Sequence, residues 1–427
     1  AALAQGFGLA AQLRNPRSRL DAADKLELRE AWQFELDLRP FASDPAVKPW
    51  LDGLRARLKP NVSKFVFEKT IEGEGLEFRP ITRDLPWGVP LPQTGLDGED
   101  LGDLEGKVLY VWFDAPIGYI SSTIEWARRE GKDWRRYWIR KKGEEGARLL
   151  HFIGKDNITF HCIVFPAMLA WQTLDDVPEG LVGPGPGEEY VLPDNIPANE
   201  FFNLEGKKFN KSEGWYLDVD EFVSKYGADR TRFYLVSAMP ETADSDFLWR
   251  EFKGRTDVFA NVFGNFAVRV LKFVASHFGN AVPPLAGFAE QAASVRASIE
   301  ARVKAWGDCL EAFEFRRGLA EFLGLAEDGN RFLDDLAPWK LRKTDAAAAG
   351  SALHLALQFL PPLSVLAEPF VPETAARLRR MLNLPARAPG PVLPAETLAE
   401  GHALGEAEVL VEKIPDEQIE GEAAAFA

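Results

Sequence analysis

Cysteine is almost missing from this sequence: 427 residues hold two, Cys162 and Cys309. Neither has a second cysteine, or a histidine at ligand spacing, and the adjoining His161–Cys162 pair alone is no zinc signature. A disulfide scaffold is excluded, no metal ligands are expected, and so little cysteine favours a reducing, cytoplasmic compartment. No uninterrupted apolar run approaches the ~20 residues of a membrane helix, so no membrane partner is expected. There is no signal-peptide pattern and no internal repeat. The chain opens on Ala1 rather than Met, with a nearly featureless first dozen residues, so a fragment of a longer protein is expected. Positive charge is scarce too, with 50 Lys and Arg against 65 Asp and Glu, for a net charge of −15. That balance disfavours bulk attraction to nucleic acid and directs attention to local basic clusters. These are Arg135, Arg136, Arg140, Lys141 and Lys142; Lys340, Arg342 and Lys343; and Arg377, Arg379 and Arg380.

What is present is apolar substance for large cores, at 46% hydrophobic and 11% aromatic residues, in a length that predicts two or more domains. Two textures divide it. Up to about residue 240, short apolar runs alternate with Gly/Pro turns. Leu109–Phe113 reads as a buried strand stopped by Asp114-Ala115-Pro116, and Leu149–Ile153 as a second stopped by Gly154. A helix follows over 160–171, with apolar residues at 160, 163, 164, 167 and 168. Strand, loop, helix predicts a parallel α/β sheet with ligands at the carboxyl ends of its strands. Residues 178–200 read as a surface connection, and a further helix is predicted from Asp229 to Ala238. Beyond about 248, apolar residues recur at three- and four-residue spacing (Phe259, Val262, Phe263, Phe266, Val270, Phe273, Val274), the mark of an amphipathic helix. Similar patterns over 292–313, 316–325, 346–360 and 373–382 predict an all-helical bundle, with one strand-like run at Val409–Val411.

Four short stretches carry candidate chemistry. Lys208-Phe-Asn-Lys-Ser212, between Gly206 and Gly214, puts two point charges on a loop able to close over a polyphosphate. Tyr110-Val-Trp-Phe-Asp-Ala-Pro-Ile-Gly-Tyr119 sets Trp112, Pro116 and Tyr119 around a narrow apolar slot, which suits an unbranched thioether or aliphatic side chain. In His151-Phe-Ile-Gly-Lys-Asp-Asn-Ile-Thr-Phe-His161, Asp156 and Asn157 sit near a helix N-terminus, where a carboxylate can hold an ammonium or ribose hydroxyls. Arg83, in Arg79–Gly88, can clamp a carboxylate or phosphate. Each has an ordinary alternative: a surface turn, core packing, a helix cap, a surface ion pair.

In this order and spacing the blocks resemble the methionyl-tRNA synthetases, class I enzymes, from about Arg14 to about Glu420. Asn15-Pro-Arg-Ser18 resembles the segment after the family's zinc knuckle. Ile81-Thr-Arg-Asp-Leu85, Trp112–Tyr119, Phe152–Asn157 with His161, and Ala198-Asn-Glu-Phe201 leading to Leu204-Glu-Gly-Lys207 resemble its signatures. Lys208–Ser212 resembles the KMSKS loop. Met239-Pro-Glu-Thr242 and Asp244-Ser-Asp-Phe247 resemble the archaeal/eukaryotic-like branch.

The resemblance implies a Rossmann-like catalytic domain, present as its second half, followed by an all-α anticodon-binding bundle. The implied segments are 1–205, 206–247 (signature loop and stem contact), 248–400 (anticodon binding) and a tail, 401–427. It implies a methionine site of Trp112, Ala115, Pro116, Tyr119, Ile153, Asn157 and His161. Asp156, Arg83, Lys208 and Lys211 are implied in activation, with Gly154, Asp156, Lys208, Lys211 and Ser212 at ATP. Asn265, Arg269 and Trp339 are implied to read the CAU anticodon, an indole beside Lys340 and Arg342 being a platform for an unstacked base. Methionine, ATP with Mg2+, and tRNA(Met) are the implied ligands. Three departures stand out: the nucleotide-binding half with its His-Ile-Gly-His-like motif is not among these residues, nor are the zinc-knuckle cysteines, and Asn210 replaces the usual Ser or Thr of the loop. A missing amino-terminal half, whether part of a longer chain or on a separate one, stands among the implied partners. A tRNA-binding protein without catalysis and one subunit of a split enzyme stay open as alternatives. A synthetase for valine, isoleucine or leucine fits less well, because no large inserted editing domain interrupts the sheet region.

Overall fold

The computed structural model describes residues 33–95, 98–102, 104–171, 183–387 and 396–424, with 23 and 426. The 15–18 segment lies outside the described residues. Chain contacts divide the protein into two units, one of residues 1–151 and 156–196, the other of 152–155 and 197–427. Strands are short: β1 Glu35–Asp37, β2 Phe78–Pro80, β3 Thr82–Asp84, β4 Lys107–Leu109, β5 Ile139–Lys141, β6 Ile153–Gly154, β7 Glu188–Tyr190, β8 Ala198–Asn199, β9 Phe202–Leu204 and β10 Ser245–Phe247.

In the first unit the ladders are antiparallel: β1 with β2, β3 with β4, and β5 with β7. Helix Ile117–Glu130 turns its Ile120 and Ala127 inward and ends on Gly131 in the left-handed conformation (φ 62°), which a residue without Cβ adopts freely. Ile120, Trp138, Ile139, Phe165, Leu169 and Tyr190 form a shared core. The strand expected over Leu109–Phe113 stops at Leu109. Val111–Asp114 is instead a helical turn whose Val111 and Trp112 are exposed. An apolar run of five does not distinguish strand from helix by itself; here the Phe113 and Asp114 N–H groups both return to the Tyr110 carbonyl. The connection expected over 178–200 contains β7 and β8.

In the second unit the ladders are parallel, β6 with β8 and β9 with β10. Among the described residues, these two ladders and a parallel bridge of Leu150 with Asn195 are what is seen of the expected parallel sheet, and of the strand expected over Leu149–Ile153 only Ile153 is in a ladder. The helical bundle matches its periodicity: Trp249–Val258 runs on through Phe259–Gly264 into Asn265–His277, followed by Ala289–Glu311, Phe315–Leu336, Ala346–Leu357, Leu360–Ala367 and Pro372–Met381. Phe259, Phe263, Phe266, Val270 and Val274 fill its centre with Phe322, Phe359 and Phe370. Buried Asp229, in helix Ala228–Ser237, caps the helix starting at Pro372 by accepting from Thr374 N–H at 2.5 Å and Glu373 N–H at 3.3 Å. Val409–Val411 forms no strand. Its carbonyls are satisfied by the Arg377 guanidinium, at 2.6 Å on Val409 O and 3.0 Å on Leu410 O. Two stretches, Trp249–His277 and Ala346–Ala367, have the length and hydropathy to cross a membrane, which the sequence reading did not anticipate; half and 83% of their apolar windows are buried in the bundle.

Candidate functional site

Three constellations hold the sequence-predicted residues. The first lies in the first unit, where helix Ile117–Glu130 meets the wide helical turn Phe160–Val164. Turns of this i→i+5 kind cluster at functional sites because they re-aim side chains. His161 is buried there, with Nδ1 2.9 Å from the Asn157 carbonyl and Nε2 2.9 Å from the Tyr119 hydroxyl. A carbonyl only accepts, so Nδ1 carries the hydrogen and Nε2 accepts from Tyr119. Burial holds the His161 pKa below its ordinary value, which keeps the ring neutral and this relay intact; the bond to Asn157 opposes the shift. His151, which no motif singled out, packs its ring 5.3 Å from Tyr119 and 5.2 Å from His161. Burial, and then the neighbouring His161, lower its pKa to about 4, and its Nε2 has no hydrogen-bond partner. Trp112 stands exposed 5.9 Å from Phe160, Ala115 is exposed and Pro116 buried. The rings of Tyr119, His151 and His161 therefore cluster around neutral polar atoms, with Tyr119 and Trp112 reaching the surface.

Arg83, on β3, lays its guanidinium 4.1 Å from the Tyr110 ring and donates to the Thr82 carbonyl. Its neighbour Asp84 pairs with Lys107 at 2.6 Å. Asp156 is exposed on the single turn Lys155–Asn157. Ile153 and Gly154 form β6 in the second unit.

The second constellation is the lysine loop. Its base is closed twice, by paired backbone bonds between Leu204 and Lys207 and between Asn210 and Trp215. Gly206 and Gly214 sit at φ 77° and 72°, turns that a β-carbon would strain. Asn210 Oδ1 accepts from Ser212 N–H at 3.1 Å and caps the turn Lys211–Glu213. The Asn that departs from the resembled motif thus performs a capping task open to Ser or Thr. Lys208 is exposed, with Nζ 4.9 Å from the Phe201 ring, and Lys211 Nζ lies 6.0 Å from the Tyr216 ring.

The third is a cavity of about 390 Å³ in the bundle, lined by Asn265, Val268, Arg269, Lys272, Phe273, His277 and Trp339 among others. The i,i+4 spacing puts Asn265 and Arg269 on its wall together. Arg269 pairs with Asp334 at 2.9 Å and hangs 5.4 Å from the half-buried Trp339 ring. A left-handed Ala337 (φ 43°) delivers Pro338 and Trp339 into the cavity. Lys272 and His277, which also line the cavity, were missed, although Lys272 extends the same helix face. The basic cluster at 377–380 is partly consumed internally: Arg377 pairs with Glu408 and buried Arg379 with Glu396.

His151 makes acid stability a readout of this site. Its folded pKa is about 4 against an ordinary 6.5, so the unfolded chain takes up the proton first as pH falls. The stability from keeping it neutral is complete above about pH 6.5 and is lost as pH falls toward 4, by on the order of 3 kcal/mol. Denaturant unfolding of the wild type and His151→Leu across pH 7 to 4.5 is expected to show the variant losing less stability over that window; parallel losses contradict it.

Residues 4–271 match the family described as tRNA synthetases class I (M), and residues 282–427 match the anticodon binding domain of methionyl tRNA ligase. Methionine–tRNA ligase of Christiangramia forsetii is 39% identical over 422 residues, covering 96% of this chain and 56% of the relative. That of Pyrococcus horikoshii is 40% identical, covering 92% and 52%. The chain thus spans about half the length of the curated relatives it matches. In fold it is similar to Mycobacterium tuberculosis methionyl-tRNA synthetase in complex with methionyl-adenylate, with TM-score 0.69 at 23% identity, over 89% of this chain and 68% of that one. A class I synthetase catalytic region over well more than half the chain, continued by that enzyme's helical anticodon-binding domain, places the chain in the methionyl-tRNA synthetase family.

Proposed function

We propose that the chain is part of a methionine–tRNA ligase. The assembled enzyme condenses methionine with ATP to methionyl-adenylate and pyrophosphate, then passes the methionyl group to the terminal adenosine of tRNA(Met). The observation that carries this reading is the neutral Tyr119–His161–Asn157 relay, formed by residues of two family signatures. A thioether needs apolar walls and no charge in the pocket. Trp112, Ala115, Pro116 and Tyr119 offer such walls, and His161 and Asn157, with Ile153, complete the proposed methionine site. Asp156 orients the amino acid or the ATP ribose, Arg83 acts in activation, and Gly154 and Ser212 serve ATP. Lys208 and Lys211 stabilise the triphosphate as pyrophosphate leaves, with Mg2+ arriving on the nucleotide. Catalysis on this account is positioning and charge stabilisation, with no covalent protein intermediate.

We read 1–205, 206–247, 248–400 and 401–427 as the functional segments. Activity is proposed for the whole enzyme, with the family's upstream half-site supplied. The archaeal/eukaryotic-like branch rests on Met239–Thr242 and Asp244–Phe247, with support from the Pyrococcus relative; the similarity to Christiangramia is as high. Asn265, Arg269 and Trp339 are the proposed readers of the CAU anticodon.

Methionine-dependent ATP–pyrophosphate exchange is expected when this chain is combined with the amino-terminal half of a relative, and not with valine, isoleucine or leucine in place of methionine. Absence of exchange with tRNA binding retained would favour the non-catalytic alternative. Trp339→Ala is expected to weaken tRNA(Met) binding by about 1–3 kcal/mol, the worth of one base stacked on an aromatic ring. Its unfolding free energy is expected to fall by less than that; equal losses in filter binding and urea unfolding return Trp339 to the core.

A further inference from the structure

Two ammonium groups share one aromatic ring beside the lysine loop. Lys155 Nζ lies 3.9 Å from the centroid of Phe201, and Lys208 Nζ lies 4.9 Å from it. The backbone fixes the ring's place: Phe201 N–H donates to Asp244 Oδ1 at 2.9 Å, and its carbonyl accepts from Ser245 N–H at 2.9 Å. Lys155 is clamped, with Asp244 at 2.6 Å and Glu200 at 2.9 Å. Lys208 is not: it is exposed and makes no ion pair among the described residues. The attraction of the ring face for Lys208 is opposed by the charge of Lys155 and supported by the nearby Asp244 carboxylate. One lysine is thus tied down and the other held by a weak, reversible contact on the same ring.

We propose that Phe201 is the resting seat of Lys208. The ammonium occupies the ring while no polyphosphate is bound and leaves it for phosphate oxygens, and Lys155 with Asp244 keeps the seat formed. This rests on the reading of the loop as a polyphosphate clamp. Phe201 is then a positioning residue that competes with the ligand for Lys208, so the apparent affinity is lowered by the seated fraction. An exposed contact of this kind corresponds to about two- to five-fold in an equilibrium constant.

The sign of the effect separates this from damage. A ring that merely supports the loop would weaken binding when removed; a competing seat strengthens it. The test is an NMR titration of the chain, 13C-labelled at lysine, with inorganic tripolyphosphate. In the wild type the Lys208 ε-CH2 signal, identified by its loss in Lys208→Ala, is expected to start shifted upfield by the ring and to move to the ordinary position as ligand binds. Phe201→Leu is expected to start at the ordinary position and bind about two- to five-fold tighter, and Phe201→Trp, a better cation seat, to bind weaker by a similar factor. Should Phe201→Leu fail to fold, the direction in Phe201→Trp decides. Affinity unchanged in both Phe201 variants, or weakened in Phe201→Leu, while still dependent on Lys208, overturns the seat and leaves the clamp standing. Binding indifferent to Lys208→Ala overturns both.

Discussion

One helical rod, Trp249–His277, belongs to two cores, and the second unit depends on that sharing. Its first turns put Trp249 and Phe252 into a cluster with Leu204, Tyr226, Tyr234 and Phe247. Its later turns put Phe259, Phe263, Phe266 and Val270 into the centre of the bundle. Each fully buried phenylalanine contributes about 1.5–3 kcal/mol relative to exposure, so neither end can shift without losing several such contacts. The packing leaves little slack: a β-carbon added at Gly329 would come within 2.4 Å of the Phe266 ring.

The rod sets both candidate sites of that unit. At its start, Trp249 N–H donates to Glu205 Oε1 at 2.8 Å, and the Glu205 N–H donates to the Phe247 carbonyl at 2.9 Å. Glu205 is the residue from which the lysine loop departs, so the loop's base is anchored to the rod and to β10. Near its far end the polar face presents Asn265 and Arg269 to the cavity that Trp339 closes. The base of the lysine loop and the Trp339 cavity are therefore both tied to one continuous helical element. The loop itself remains exposed, which suits the proposed movement of its lysines toward a ligand.

The bundle was legible because its apolar residues keep the helical period over long stretches, from Phe259 to Val274 and again from 346 to 360. Short runs were not. Leu109–Phe113 carries strand-favouring residues, yet the chain turns helical at Val111, where local hydrogen bonds to Tyr110 decide. Val409–Val411 has the composition of a strand, but one guanidinium takes the bonds a partner strand would need. Signature residues were legible as contiguous words. Their partners were not, because Tyr119 and His161, or Lys155, Phe201 and Asp244, meet only after folding, across more than forty residues of chain. His151 precedes a signature rather than belonging to it, and only its burial against the rings of Tyr119, His161 and Phe165 shows its place in this cluster.

The central claim is that the cluster of rings around Tyr119 and His161 receives a methionine side chain. The most direct measurement is a structure of the chain, combined with the amino-terminal half of a relative, with a non-hydrolysable methionyl-adenylate analogue bound. The account predicts the thioether against Tyr119, His161 and Trp112, with the Tyr119–His161–Asn157 relay intact. An analogue seated elsewhere, or a site that stays empty at saturating analogue, would contradict it.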